Sequence, residues 1–126
     1  MAAMTPTDAP RLEIGDTVIG GAQALAIKGE LDLATATRFT EAAEREVWGT
    51  EGTFVLDLSE LTFVDSTGMG ALLRARALLA REDRTLALVL PKGAVRQTID
   101  LAGILDTLIV YPTREALAAA LVPVND

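Results

Sequence analysis

Residues 55–73 read Val55-Leu56-Asp57-Leu58-Ser59-Glu60-Leu61-Thr62-Phe63-Val64-Asp65-Ser66-Thr67-Gly68-Met69-Gly70-Ala71-Leu72-Leu73, and the fold turns on how this stretch divides. Residues 53–58 have a β-branched and aromatic start and no breakers, as a buried strand requires. Residues 59–65 are expected to form a loop. A helix is then expected over about 66–81, with Leu72, Ala75 and Leu79 on one face. A strand feeding a helix in this way is the repeating unit of α/β folds.

The neighbouring sequence extends that alternation. Upstream, 12–19 and 22–28 are strand-like and flank Gly20-Gly21, which suggests a β-hairpin. Gly29-Glu30-Leu31-Asp32 is expected to break the second strand, with Asp32 as the N-cap of a helix reaching about Trp48. Phe39, Ala42, Ala43 and Val47 form its apolar stripe, with Glu41, Glu44, Arg45 and Glu46 outside it. Downstream, 85–90 is another buried strand, stopped by Pro91. A helix over about 93–102 places Val95, Ile99 and Ala102 on one face, and 108–111 is a short strand. Thr113 is positioned to cap a last helix, with Glu115 in its first turn and Pro123 limiting its far end.

The order β-β-α-β-α-β-α-β-α predicts a single α/β domain over 11–122, with helices packed against a mixed, mostly parallel central sheet. Residues 1–10 are expected to be a flexible leader, with Met4 as an alternative start, and 123–126 a C-terminal tail.

Composition narrows the function. The chain has 126 residues, 11 basic against 18 acidic, a net charge of −7, and neither His nor Cys. Without His there is no Ser-His-Asp triad and no imidazole ligand or base. Without Cys there is no usual zinc site, disulfide or thiol nucleophile. No catalytic residue, metal or cofactor is expected. The acidic balance disfavours phosphate backbones, so no nucleic-acid partner is expected. No apolar run approaches the roughly 20 residues of a membrane span, and no secretory signal is seen, so membrane insertion is not expected and a cytoplasmic location is. Residues 74–96 run against the average, with Arg74, Arg76, Arg81, Arg84, Lys92 and Arg96 against Glu82 and Asp83. Those residues are either a solvated face or a basic rim that orients an acidic partner.

The distinctive chemistry sits at Asp65-Ser66-Thr67-Gly68. A helix start presents unpaired N–H groups and a partial positive charge, which favour an anion. A phosphate on Ser66 would add roughly −1.5 to −2 charge at that point. Gly68 and Gly70 leave the first turn open to a partner's approach. The residues alone leave two readings of Ser66, a modified surface residue or a helix cap. Gly68-Met69-Gly70 is too short for a phosphate-binding loop, and GxSxG is absent.

Asp57-Leu58-Ser59 followed by Phe63-Val64-Asp65-Ser66-Thr67-Gly68-Met69-Gly70 resembles the signature of STAS domains, specifically the bacterial anti-sigma factor antagonists. Gly29-Glu30-Leu31-Asp32 is similar to that family's GELD turn, Gly103-Ile104-Leu105-Asp106 to its Gly-Leu turn, and Thr113-Arg114-Glu115-Ala116-Leu117 to its last helix start. The resemblance runs from about Leu12 to Leu121. It implies a non-enzymatic regulator that binds an anti-sigma factor, a serine kinase of the histidine-kinase-like ATPase fold, and so releases a sigma factor. Ser66 matches the phosphorylated serine, with Thr67 a possible second acceptor, and a serine phosphatase would reset it. Asp65 and Gly68 match the flanking contact residues, and Asp32 the acidic residue near that serine. With Glu30, Thr67 and Met69 they make the implied partner surface. Asp57 is read as a structural carboxylate serving loop N–H groups. The alternative reading is an unphosphorylated STAS scaffold subunit of a transporter or stress-sensing complex.

Overall fold

A computed structural model describes residues 11–121, so the expected leader over 1–10 and tail over 123–126 lie outside the described residues. The first two strands, β1 (Leu12–Ile19) and β2 (Ala22–Leu31), form an antiparallel hairpin. Gly20 and Gly21, at φ +58° and +82°, close it with the left-handed backbone that such turns demand. Next come α1 (Ala36–Trp48), β3 (Phe54–Val64), α2 (Ser66–Ala80), β4 (Leu86–Val89) and α3 (Ala94–Leu101). A 3₁₀ turn at Leu105–Thr107, β5 (Ile109–Tyr111) and α4 (Arg114–Leu121) complete the described chain.

The strands lie side by side in chain order, β1-β2-β3-β4-β5, antiparallel only between β1 and β2. Sheet and helices form three layers because strand side chains alternate in direction. In β3, Phe54, Leu56 and Leu58 enter a large core with Phe39, Leu72, Leu79 and Ile99 of the first three helices. Val55, on the opposite face, joins Ala24, Val89 and Leu117 beneath α4. The expected α/β architecture is therefore the observed one.

Several local expectations change. The 29–32 segment does not break β2, because Gly29, Glu30 and Leu31 pair with Leu61, Phe63 and Val64. Residues 59–64 are correspondingly strand, not loop. The register slips after Ala26 and again after Gly29, each time leaving an extra residue on β3. These are β-bulges, and they turn the two-residue burial period into a three-residue one at Leu58, Leu61 and Val64. The N-cap of α1 is Thr35, and Asp32 caps the turn before it. Ala102 is exposed, which leaves Val95 and Ile99 as the buried pair of α3. Thr113 caps α4 as expected, its hydroxyl accepting from Ala116 N–H at 3.0 Å.

Candidate functional site

The two bulges carry β3 past the end of β4 and set Asp65 beside the turn that follows β2. Asp65 joins the two segments. Its extended backbone makes it the N-cap of α2, with Oδ1 accepting from Gly68 N–H at 2.8 Å. Its Oδ2 accepts from Leu33 N–H at 3.1 Å, and its own N–H donates to Leu31 O at 3.3 Å. One carboxylate thus ties the start of α2 to the 31–34 turn. Gly68 allows that closeness, but it is buried against the Leu31 backbone and so is not open to a partner's approach as expected.

Ser66 is the first residue of α2 and is exposed. Capping belongs to Asp65, so the cap reading of Ser66 does not hold. The serine hydroxyl stands at the positive end of a 15-residue helix with no capping duty. Thr67 and Met69 are half-buried, and Met69 packs against the core.

Asp32 is buried and its carboxylate is fully engaged. Its Oδ1 accepts from Ala34 and Thr35 N–H groups at 3.0 and 3.2 Å, and Oδ2 pairs with Arg11 at 2.8 Å. Arg11 also pairs with half-exposed Glu30 at 3.0 Å. Both acids, with Glu30 acting first, raise the Arg11 pKa and keep its charge fixed. Thr35 completes the turn by donating its hydroxyl to Glu30 O at 2.8 Å. Asp32 therefore shapes the surface from beneath, while Ser66 and Glu30 present themselves on it.

Three participants are additional to the residues expected from sequence. Arg11 was legible in principle, because a two-residue turn fixes the hairpin register and puts Arg11 beside Glu30. Leu33 and Phe63, 76% and 48% exposed, are large apolar side chains that the core does not absorb. Leu33 signals itself by standing outside the α1 stripe. Phe63 carried no such signal, because its segment read as loop. In the basic segment, Arg84 is a structural strut, its guanidinium donating to Val47 O, Gly52 O and Thr50 Oγ1. The remaining basic residues stand without it.

Asp57 lies within β3, 1% exposed, and faces the α4 side of the sheet. It accepts from Ser59 N–H at 3.0 Å, a donor inside the strand and not in the expected loop, and pairs with Arg114 Nε at 2.5 Å. No cluster of three His, Cys, Asp or Glu side chains suited to a metal occurs among the described residues. No helix among them is long and apolar enough to cross a membrane.

The sequence matches the family model described as STAS domain over residues 14–118. An anti-sigma factor antagonist from Mycobacterium paratuberculosis is similar in structure at a TM-score of 0.75 and 28% identity, covering 86% of this chain and 92% of that one. The phosphorylated form of the Bacillus cell fate determinant SpoIIAA shares the fold at a TM-score of 0.61 and 19% identity, over 86% and 98% of the two chains. A sulfate transporter family protein from Wolinella succinogenes shares it at 0.70 and 19%, over 83% and 88%. No curated protein sequence matches the chain.

Proposed function

We propose that this chain, which belongs to the STAS-domain family, is an anti-sigma factor antagonist switched by phosphorylation of Ser66. The supporting observation is a division of labour at the start of α2. Asp65 performs the capping, and the neighbouring serine is left exposed and chemically free. The similarity to the Mycobacterium paratuberculosis antagonist, at 28% identity, supports the general role.

In the unmodified state, Ser66, Glu30 and the Leu33 turn form the docking surface for an anti-sigma factor with a histidine-kinase-like ATPase fold. Exposed Leu33 and Phe63 supply apolar area that docking would remove from water. The bound kinase holds ATP, and this chain needs no cofactor of its own. Ser66 Oγ attacks the γ-phosphorus, the Oγ–P bond forms, the bond to ADP breaks, and the serine proton passes to a base on the kinase.

The phosphoserine then carries roughly −1.5 to −2 charge at the centre of the interface. Burying that charge without a partner is costly, and Asp65 next to it adds like-charge repulsion. Release follows, and a serine phosphatase restores the docking state. Thr67, half-buried, is a less accessible second acceptor. Sigma factors act in the cytoplasm, and the chain would act there too.

The fold shared with the Wolinella succinogenes transporter-family protein favours a second reading, an unphosphorylated scaffold subunit. Intact-mass measurement after incubation with the cognate kinase and ATP separates the two. A gain of one phosphate, mapped to Ser66 and lost in Ser66→Ala, is expected. Stable binding to the kinase with no gain of mass would transfer the chain to the scaffold reading.

A further inference from the structure

Adjoining the Ser66 surface at its head, α1 and α2 run side by side in the same direction and leave a groove of about 180 Å³ between them. Its floor is apolar and low, with Phe39, Ala43, Ala71 and Ala75 contributing little relief. Leu78 lines its lower part, and Leu33 and Thr67 stand at its head. The walls differ in sign. Exposed Glu41 and Glu44 stand on the α1 side, and exposed Arg74 and Arg81 on the α2 side. None of these four is in a salt bridge among the described residues.

A groove with one acidic and one basic wall is its own electrostatic complement. A two-fold axis parallel to the helices sets α1 of one copy against α2 of the other. Such an axis preserves height along the helices, so Glu44 and Arg74, which line the same stretch, meet across the interface. A two-fold across the helices would instead oppose Glu to Glu and Arg to Arg. The alanine floor permits close helix approach, and flanking charges then select orientation, as in helical bundles. We propose that this groove is a self-association surface, occupied by the same groove of a second copy of the chain.

This goes beyond the phosphoswitch and is tested without kinase or ATP, so either reading can fail independently. The full chain is studied by sedimentation velocity over a concentration series, with circular dichroism verifying the fold. One variant, Glu41→Arg with Glu44→Arg, makes both walls basic. A second, Arg74→Glu with Arg81→Glu, makes both acidic. The wild type is expected to dimerise with rising concentration, and each variant alone to dimerise at least about tenfold more weakly. Their equimolar mixture is expected to recover a heterodimer, because every wall then faces its opposite. Arg74→Gln, a milder change, should weaken the wild-type dimer by a smaller factor. A wild type that stays monomeric at its highest soluble concentration overturns the proposal. So do variants that dimerise like wild type, or a mixture that fails to recover association.

Discussion

Gly68 lies so close to Leu31 that a Cβ built on it would fall 2.2 Å from the Leu31 carbonyl oxygen. The atom in the way is backbone, which cannot swing aside as a long side chain would. Gly68→Ala is therefore expected to push α2 off the 31–34 turn and destabilise the fold by roughly 2–3 kcal/mol. Urea denaturation gives the magnitude. Faster amide exchange at Leu33 in the turn and at Gly68 in α2 than in the later turns of that helix would localise the damage. A Gly68→Ala protein of wild-type stability would show that the turn yields more readily than its packing suggests.

Asp65 serves two backbone donors on different segments, Gly68 N–H and Leu33 N–H. Asp65→Ala removes both acceptors and should cost about 1–2.5 kcal/mol. Asp65→Asn keeps a capping oxygen and should recover at least half of that loss. Ser66→Ala should lie within about 0.5 kcal/mol of wild type, since the serine does not cap. That ordering, read from denaturation midpoints, checks the division of labour on which the proposed switch depends. A loss at Ser66→Ala comparable to that at Asp65→Ala would return capping to the serine.

How far the sequence discloses this arrangement depends on period. The strand at 53–58 and the α1 stripe were legible because alternation and helical spacing run undisturbed there. The second half of β3 was not, because two bulges place Leu58, Leu61 and Val64 three residues apart, a spacing that resembles neither strand nor helix. That same irregularity hides the site. It extends β3 to the point where Asp65 meets Leu33, a contact across 32 residues of chain that no local pattern announces. Asp32 shows the opposite case. Its capping chemistry was legible, but the turn it caps precedes the helix, and only the hairpin register brings Arg11 to its other oxygen. Ser66 stood out through family resemblance, and its freedom from capping emerges only in three dimensions.

Asp57 is 1% exposed and its ion-pair partner Arg114 is 50% exposed. Arg114→Met removes the charge but keeps much of the stem that covers the sheet. The buried carboxylate then retains Ser59 and loses its cation. A loss of about 1–2 kcal/mol is expected, below that of a fully buried pair because water already reaches the arginine. Arg114→Lys should recover part of it, as a point charge without the guanidinium fork. Thermal unfolding of the three proteins in parallel measures the effect. Equal midpoints would mean that water replaces the guanidinium at no cost.

Glu46, on the side of α1 facing β1, has its pKa raised by burial first and by the neighbouring Asp16 charge and hydrogen bond second, against a smaller opposing pull from Arg45. A carboxyl whose pKa rises on folding holds its proton more tightly in the native state than in the unfolded chain. Its contribution to stability therefore falls as pH climbs from the ordinary carboxylate range through the raised native value, and stays unfavourable above it. Glu46→Gln removes the charge, and its amide can donate to Asp16. The variant is expected to melt about 1–2 °C above wild type near neutral pH. The difference should shrink as pH drops below the ordinary carboxylate range, where Glu46 is neutral in both folded and unfolded chains. Melting curves of both proteins between acid and neutral pH supply the comparison. A Glu46→Gln protein less stable than wild type at neutral pH would mean that attraction to Arg45 outweighs burial and the Asp16 charge.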